Sequence, residues 1–114
     1  MDDLIKIFSA LSEPNRVKIL KMLELRPLCV CEFPAALDLS VSTVSKHLSI
    51  LRDAGLITDK KIMKWVYYKL NTDSKDLKVR QLLSLLPMWL NEEAPIKLLK
   101  EKIINEKNVD MCNF

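Results

Sequence analysis

The sequence predicts a mainly α domain carrying one small β-hairpin, and three observations predict it. Apolar residues recur at helical spacing over most of the chain, and strand-type residues cluster only between Leu56 and Leu70. A single glycine leaves little material for the tight turns of an all-β fold. At 114 residues and 49% apolar composition, the chain has the size of one domain with one core. Its formal charge is only +3, from 18 Lys and Arg against 15 Asp and Glu. Contact with nucleic acid must therefore come from local clustering rather than from a basic coat. No run reaches the ~18 consecutive apolar residues of a membrane span. The opening MDDLIKIF carries acids where a signal peptide needs cations. Three cysteines are an odd number for a disulfide framework, so the chain reads as reduced and cytoplasmic, with no membrane partner.

Asp2 to Leu11 reads as the first helix, with Leu4, Ile5, Phe8 and Leu11 apolar and acids in its first turn. Ser12-Glu13-Pro14-Asn15 reads as the start of the second, with Ser12 as cap and Pro14 in the first turn, where its missing N–H does no harm. Val17, Ile19, Leu20, Met22 and Leu23 carry that helix to about Leu25. Pro27 ends it, because the residue before a proline avoids helical geometry. Both helices read as core-forming. Arg16 and Lys18 read as solvated surface cations, with phosphate contact as the alternative.

Leu28-Cys29-Val30-Cys31-Glu32-Phe33-Pro34 follows. Thiols at i and i+2 point about 200° apart on an ideal helix and cannot share a small ion, whereas on extended backbone they lie on the same side and can. Pro27 and Pro34 both oppose regular helix through the pair. It therefore falls at a helix entrance, where a bound ion could change the backbone. Thiolates select soft ions over Mg²⁺ or Ca²⁺. The plain alternative is two buried thiols acting as small hydrophobes. With three cysteines, a four-thiolate zinc site is excluded within one chain.

Glu32 to Leu37 reads as a short helix, Asp38-Leu39 as a turn and Ser40 to Ala54 as a second helix. In the latter, Val41, Val44, Leu48 and Leu51 recur at spacings of three, four and three and form one stripe. Ser42, Ser45, Lys46 and Ser49 take another face, flanked by Thr43 and His47, with no carboxylate until Asp53. Ser40 is a suitable N-cap, and Gly55 can end the helix in the left-handed conformation with Leu56 folding back. A helix apolar on one side and small, polar and basic on the other suits a DNA major groove, the alternative being an ordinary surface helix. Two helices joined by a tight turn form a helix-turn-helix. Leu56 to Lys61 and Lys64 to Leu70 then read as strands around a basic tip, where Lys60, Lys61 and Lys64 can reach backbone phosphates, the alternative being solvated lysines on a plain ribbon. A reading helix (40–55) followed by a basic hairpin (56–70) is the winged helix-turn-helix, and the pairing decides for DNA.

Asp76 to Leu90 is apolar around much of a helix, which implies burial on more than one side and so a dimer partner. Pro87 should bend or break it. Asn91-Glu92-Glu93 starts a last amphipathic helix with Pro95 in its first turn. The single domain extends to residue 106, and 107–114 reads as a polar, flexible tail containing Cys112.

The ordered set LSEPNRVKILKMLE, LCVCEF, LDLSVSTVSKHLSILRDAGLI and KWVYYKL resembles the ArsR/SmtB family of metal-responsive winged-helix repressors, over roughly residues 4 to 90. The resemblance implies a homodimer paired through its first and last helices (2–11 and 75–105). That dimer binds a pseudo-palindromic double-stranded operator and leaves it when a metal or metalloid binds. It implies reading contacts from Ser42, Thr43, Ser45, Lys46 and His47, and wing contacts from Lys60, Lys61 and Lys64. Cys29 and Cys31 become ligands for As(III) or Sb(III) as effector, with no permanently bound cofactor. The chain departs from the pattern at several points. Pro34 stands where arsenite sensors often carry a third cysteine, which leaves Cys112, from its own or the partner chain, as the candidate third ligand. The N-terminal cysteines of cadmium and lead sensors and the last-helix histidines of zinc sensors are missing. Ile62-Met63 replaces the usual wing-tip glycine. The alternatives are a thiol redox sensor, a soft divalent-metal (Cd/Pb/Zn) sensor, or a dimeric adaptor that does not bind DNA. No acid–base pair, nucleophile–base pair or phosphate loop points to an enzyme.

Overall fold

The computed structural model describes residues 1–104, so Cys112 and the 107–114 segment lie outside the described residues. Its elements run α1 (Asp2–Leu11), α2 (Pro14–Leu23), β1 (Leu28–Cys29), α3 (Phe33–Leu37), α4 (Val41–Asp53), β2 (Ile57–Ile62), β3 (Trp65–Leu70), α5 (Leu77–Leu85) and α6 (Ala94–Ile104). Short 3-10 turns occupy Val30–Glu32 and Leu86–Met88. The helices bury their apolar stripes around one core, which an antiparallel sheet of order β1-β3-β2 closes.

The start of α2 corrects the expected cap. Glu13 caps it, its carboxylate accepting from the Arg16 N–H at 3.1 Å, with Pro14 in the first turn. Ser12 instead closes α1, its hydroxyl donating to the Ser9 carbonyl at 2.6 Å. A carboxylate at that position also faces the positive end of the helix dipole. α2 stops at Leu23 with Glu24 as its C-cap, slightly short of the expected Leu25.

The hairpin has the expected two strands, in register from Ile57↔Leu70 to Ile62↔Trp65, and its turn falls at Met63-Lys64. A third strand joins it. Leu28 and Cys29 pair antiparallel with Tyr68 and Tyr67, a segment too short to show as a strand pattern in sequence. α3 docks on the same strand, its fully buried Phe33 packing edge-on against Tyr68 with ring centroids 6.4 Å apart.

α5 ends at Leu85, where Pro87 turns the next residues into a 3-10 turn and Leu90 takes a φ of 65°. α6 then returns across α2 and α3, burying Ile96, Leu99 and Ile103. One buried group had no sequence signal. Lys21 is fully buried in α2, its Nζ donating to Glu24 Oε1 (2.7 Å), the Leu86 carbonyl (3.0 Å) and Asn91 Oδ1 (3.2 Å). All three protons of that ammonium have acceptors, which is what makes its burial tolerable. It ties α2 to the break between α5 and α6. Among the described residues no helix is long and apolar enough to cross a membrane.

Candidate functional site

α4 is built from agreeing local signals. Ser40 caps it, its Oγ accepting from the Thr43 N–H at 3.2 Å and donating to Thr43 Oγ1 at 2.9 Å. Its far end is a Schellman closure: Gly55 at φ 80°, the Leu56 N–H on the Leu51 carbonyl (3.1 Å) and the Gly55 N–H on the Arg52 carbonyl (2.9 Å). Val44, Leu48 and Leu51 are buried as the stripe predicts, but Val41 is 65% exposed. It opens the helix, beyond the edge of the core. Ser42, Ser45 and Lys46 are exposed together on the outer face, with Thr43 half-buried beside them.

The hairpin is fastened to the end of this helix. Asn71 donates from Nδ2 to the Gly55 carbonyl at 2.9 Å and from its N–H to the Leu56 carbonyl at 3.0 Å. Arg52 reaches Asp59 Oδ2 at 3.0 Å. Lys60, Lys61 and Lys64 are exposed at the outer end, the Lys64 ammonium lying 5.3 Å from the centre of the Trp65 ring. Met63, 82% exposed, takes a φ of 57° in the tip turn, the left-handed region that favours glycine.

His47, expected to flank the polar face, turns toward α2. Its Nδ1 lies 3.2 Å from Arg16 Nη1 and its Nε2 3.8 Å from Glu13 Oε2, and only 13% of the side chain is exposed. Arg16 in turn is not a solvated cation. Its Nε donates to the Ala10 carbonyl (2.8 Å) and its Nη2 to the Ser9 carbonyl (3.2 Å). Neither role was visible in the sequence, because each depends on the packing of α1, α2 and α4.

The two thiols converge. Cys31 Sγ lies 2.9 Å from Cys29 Sγ. The geometry differs from the expected all-extended pair. Cys29 is extended (φ −70°, ψ 145°) at the end of β1 and buried, while Cys31 is in the 3-10 turn that leads into α3 and is exposed. The turn, rather than a continued strand, brings the second sulfur round. Glu32 fixes this bend: its Oε1 accepts from the Cys29 N–H at 2.9 Å and its Oε2 from Arg26 at 2.8 Å. The Cys31 thiol is pushed up to about 12, first by partial burial of the sulfur, then by the Cys29 thiol and the Glu32 charge. Two soft donors this close fit a single thiophilic ion, since bonds of ~2.3 Å from each sulfur span the gap. A third His, Cys, Asp or Glu donor does not join them among the described residues.

Comparison with known proteins agrees with this architecture. Residues 13–59 match the family model described as "Bacterial regulatory protein, arsR family". The chain is 44% identical over 68 residues to the arsenical resistance operon repressor of Escherichia coli K12, covering 59% of this chain and 58% of that one. It is 32% identical over 111 residues to the arsenic resistance transcriptional regulator ArsR2 of Pseudomonas putida KT2440, covering 91% of this chain and 86% of the relative. A cadmium resistance regulator, a CadC homolog of Staphylococcus aureus, is 38% identical over 95 residues, 82% of this chain and 75% of that one. In fold, the chain resembles a homodimeric winged helix-turn-helix DNA-binding domain from Mycobacterium bovis, with a TM-score of 0.65 at 23% identity over 76% of this chain and 77% of that one. The chain therefore belongs to the arsR family of bacterial regulatory proteins, transcriptional regulators on a winged helix-turn-helix rather than enzymes.

Proposed function

We propose that the chain is a cytoplasmic homodimeric repressor that holds a pseudo-palindromic double-stranded operator and releases it when trivalent arsenic or antimony binds Cys29 and Cys31. The observation that carries the effector is the pair of sulfurs 2.9 Å apart at the approach to α3. On the DNA side, Ser42, Ser45 and Lys46 face base edges in the major groove with Thr43 beside them. Lys60, Lys61 and Lys64 meet phosphates, which position the protein without reading sequence. The dimer rests on apolar surface that one copy leaves open. Ile5 and Phe8 of α1 are each 58% exposed, and Leu77, Leu85, Met88 and Trp89 are exposed on and after α5. A second copy covering these faces removes them from water.

Release follows from where the thiols sit. Cys29 is on a strand bonded to the inner strand of the wing, and Cys31 precedes the first helix of the helix-turn-helix. Drawing both sulfurs onto one ion pulls on wing and helix together. Inverting occupancy from 99:1 to 1:99 takes roughly 5.5 kcal/mol of differential affinity, a scale that two covalent bonds to sulfur can supply.

The raised Cys31 thiol favours a trivalent metalloid over a divalent cation. Trivalent arsenic in neutral water is an uncharged hydroxide. Each thiol passes its proton to an arsenic-bound hydroxide, which leaves as water while an As–S bond replaces the As–O bond, and no proton is released. A divalent cation must expel thiol protons into solvent, which a high pKa opposes.

The test is a gel shift on the chain's own upstream promoter with arsenite, cadmium or zinc. Arsenite is expected to free the DNA from wild type and not from Cys29→Ser/Cys31→Ser. Release of the double variant by arsenite sinks the effector assignment, and release of wild type by cadmium alone reassigns it to a soft divalent metal. A salt series on random DNA checks the other half, where a near-zero slope of log K against log salt indicates an adaptor.

A further inference from the structure

We propose that Arg16 is a positioning residue of the DNA-reading surface, locking α4 to the C-terminal end of α1 through His47. The role rests on α4 being the reading helix. One guanidinium joins three elements. From α2 it donates to the carbonyls of Ala10 (2.8 Å) and Ser9 (3.2 Å) in the last turn of α1. That turn holds no basic residue of its own, so Arg16 supplies a donor to the Ala10 carbonyl and the cation that the negative end of the helix dipole favours, and it shares the Ser9 carbonyl with Ser12. Its remaining nitrogen, Nη1, reaches Nδ1 of His47 on α4 at 3.2 Å.

The chemistry of this contact fixes the ring. A guanidinium only donates, so Nδ1 must accept and the ring proton sits on Nε2. That nitrogen faces Glu13 Oε2 at 3.8 Å, and the same carboxylate oxygen accepts the Arg16 N–H that begins α2. Both ring nitrogens are thus addressed from the start of α2. His47 lies mid-helix, directly after Ser45 and Lys46, so fixing it adds a polar contact, beside the buried stripe, to those that hold the rotation of α4 and the reach of its outward side chains. The exposed Ile5 and Phe8 of α1, offered above to a second copy, stand on the helix that Arg16 grips. A shift of α1 in the dimer therefore passes to the reading helix through this guanidinium. His47 serves as an anchor here, and the base edges are left to its neighbours.

His47 is the only histidine, so its ring nitrogen resonances are unambiguous. The experiment combines ¹⁵N spectra of the ring with affinity for the upstream promoter fragment and thermal unfolding midpoints. Wild type should show the Nε2-protonated tautomer, and Arg16→Gln a mixture of both. Arg16→Gln and His47→Leu should each weaken DNA binding about tenfold, as expected for a lost hydrogen bond to a charged group. The double variant should be no weaker than the worse single one. His47→Asn, whose Oδ1 takes the place of Nδ1, should bind within about twofold of wild type. Should Arg16→Gln fail to fold, the wild-type tautomer and the Asn/Leu comparison at His47 still decide. A wild-type ring protonated on Nδ1, Asn and Leu variants that bind alike, or single effects that multiply in the double variant overturn the role. A wild type that does not bind the fragment overturns the DNA reading and this role together, whereas binding with those comparisons failing overturns this role alone.

Discussion

The proposed reading helix α4 and the thiol segment, residues 27–33, flank α3 in the chain and are held in different ways. In α4 many modest contributions agree: a serine cap, a glycine closure, three fully buried apolar side chains and two ties to the hairpin. The thiol segment is anchored at each end by a fully buried apolar side chain, Leu28 and Phe33, but between them its bend depends on the single carboxylate of Glu32. A surface proposed to present fixed side chains to DNA gains from redundancy. A segment proposed to answer a ligand gains from a bend held by one carboxylate, because a small number of new bonds can then re-set it.

Substitutions can break this comparison. The largest expected effect is Leu51→Ala in α4, about 4 kcal/mol from the cavity left at a fully buried site, read as a lowered urea midpoint. Glu32→Ala should come next, at about 3 kcal/mol, because it leaves the nearly buried Arg26 guanidinium without its carboxylate and the Cys29 N–H without its side-chain acceptor. If the contrast holds, Glu32→Ala also changes the arsenite concentration that releases DNA, while Ser40→Ala does not. That cap substitution should cost about 1 kcal/mol, since the rest of α4 remains closed at its other end. A Glu32 variant as mild as the Ser40 one would remove the asymmetry.

What the sequence showed of each region follows the same division. The stripe Val44, Leu48, Leu51, the Ser40 cap and the Gly55 stop are local signals, and α4 forms where they place it. The thiol pair was visible as a pair, and its proximity was legible once helix was ruled out. The way the sulfurs meet was not, because the 3-10 turn depends on Glu32 and Arg26, and the strand depends on Tyr67 and Tyr68 far along the chain. Arg16, His47 and Lys21 were hidden for the same reason. Each is a polar residue on a helix whose partners only tertiary packing supplies. The wing-tip departure was readable at Met63, whose left-handed φ is what the absent glycine would have eased. Met63→Gly should therefore stabilise the fold by about 1 kcal/mol, relieving a conformation that costs a side chain roughly that much, and raise the thermal midpoint.

The smallest effect is the most specific to the thiol segment. The Cys31 thiol rises from an ordinary value of 9.0 to about 12 in the folded chain, chiefly through partial burial and then through Cys29 and Glu32. The group is neutral when protonated, so its folded pKa lies above its unfolded one. The unfolded chain therefore gives up this proton first as pH rises. Its contribution to stability is complete below pH 9.0, and it is lost between 9.0 and about 12. Lysines and tyrosines also titrate in that window, so the readout is a difference: wild type should lose more of its urea midpoint between pH 8 and pH 10.5 than Cys31→Ser does. Because the residue is solvent-exposed, the difference should be small, yet its sign is fixed. Equal slopes for the two proteins would mean that the folded chain holds the Cys31 proton no more tightly than the unfolded one, and the preference for a neutral metalloid over a divalent cation would lose its physical basis.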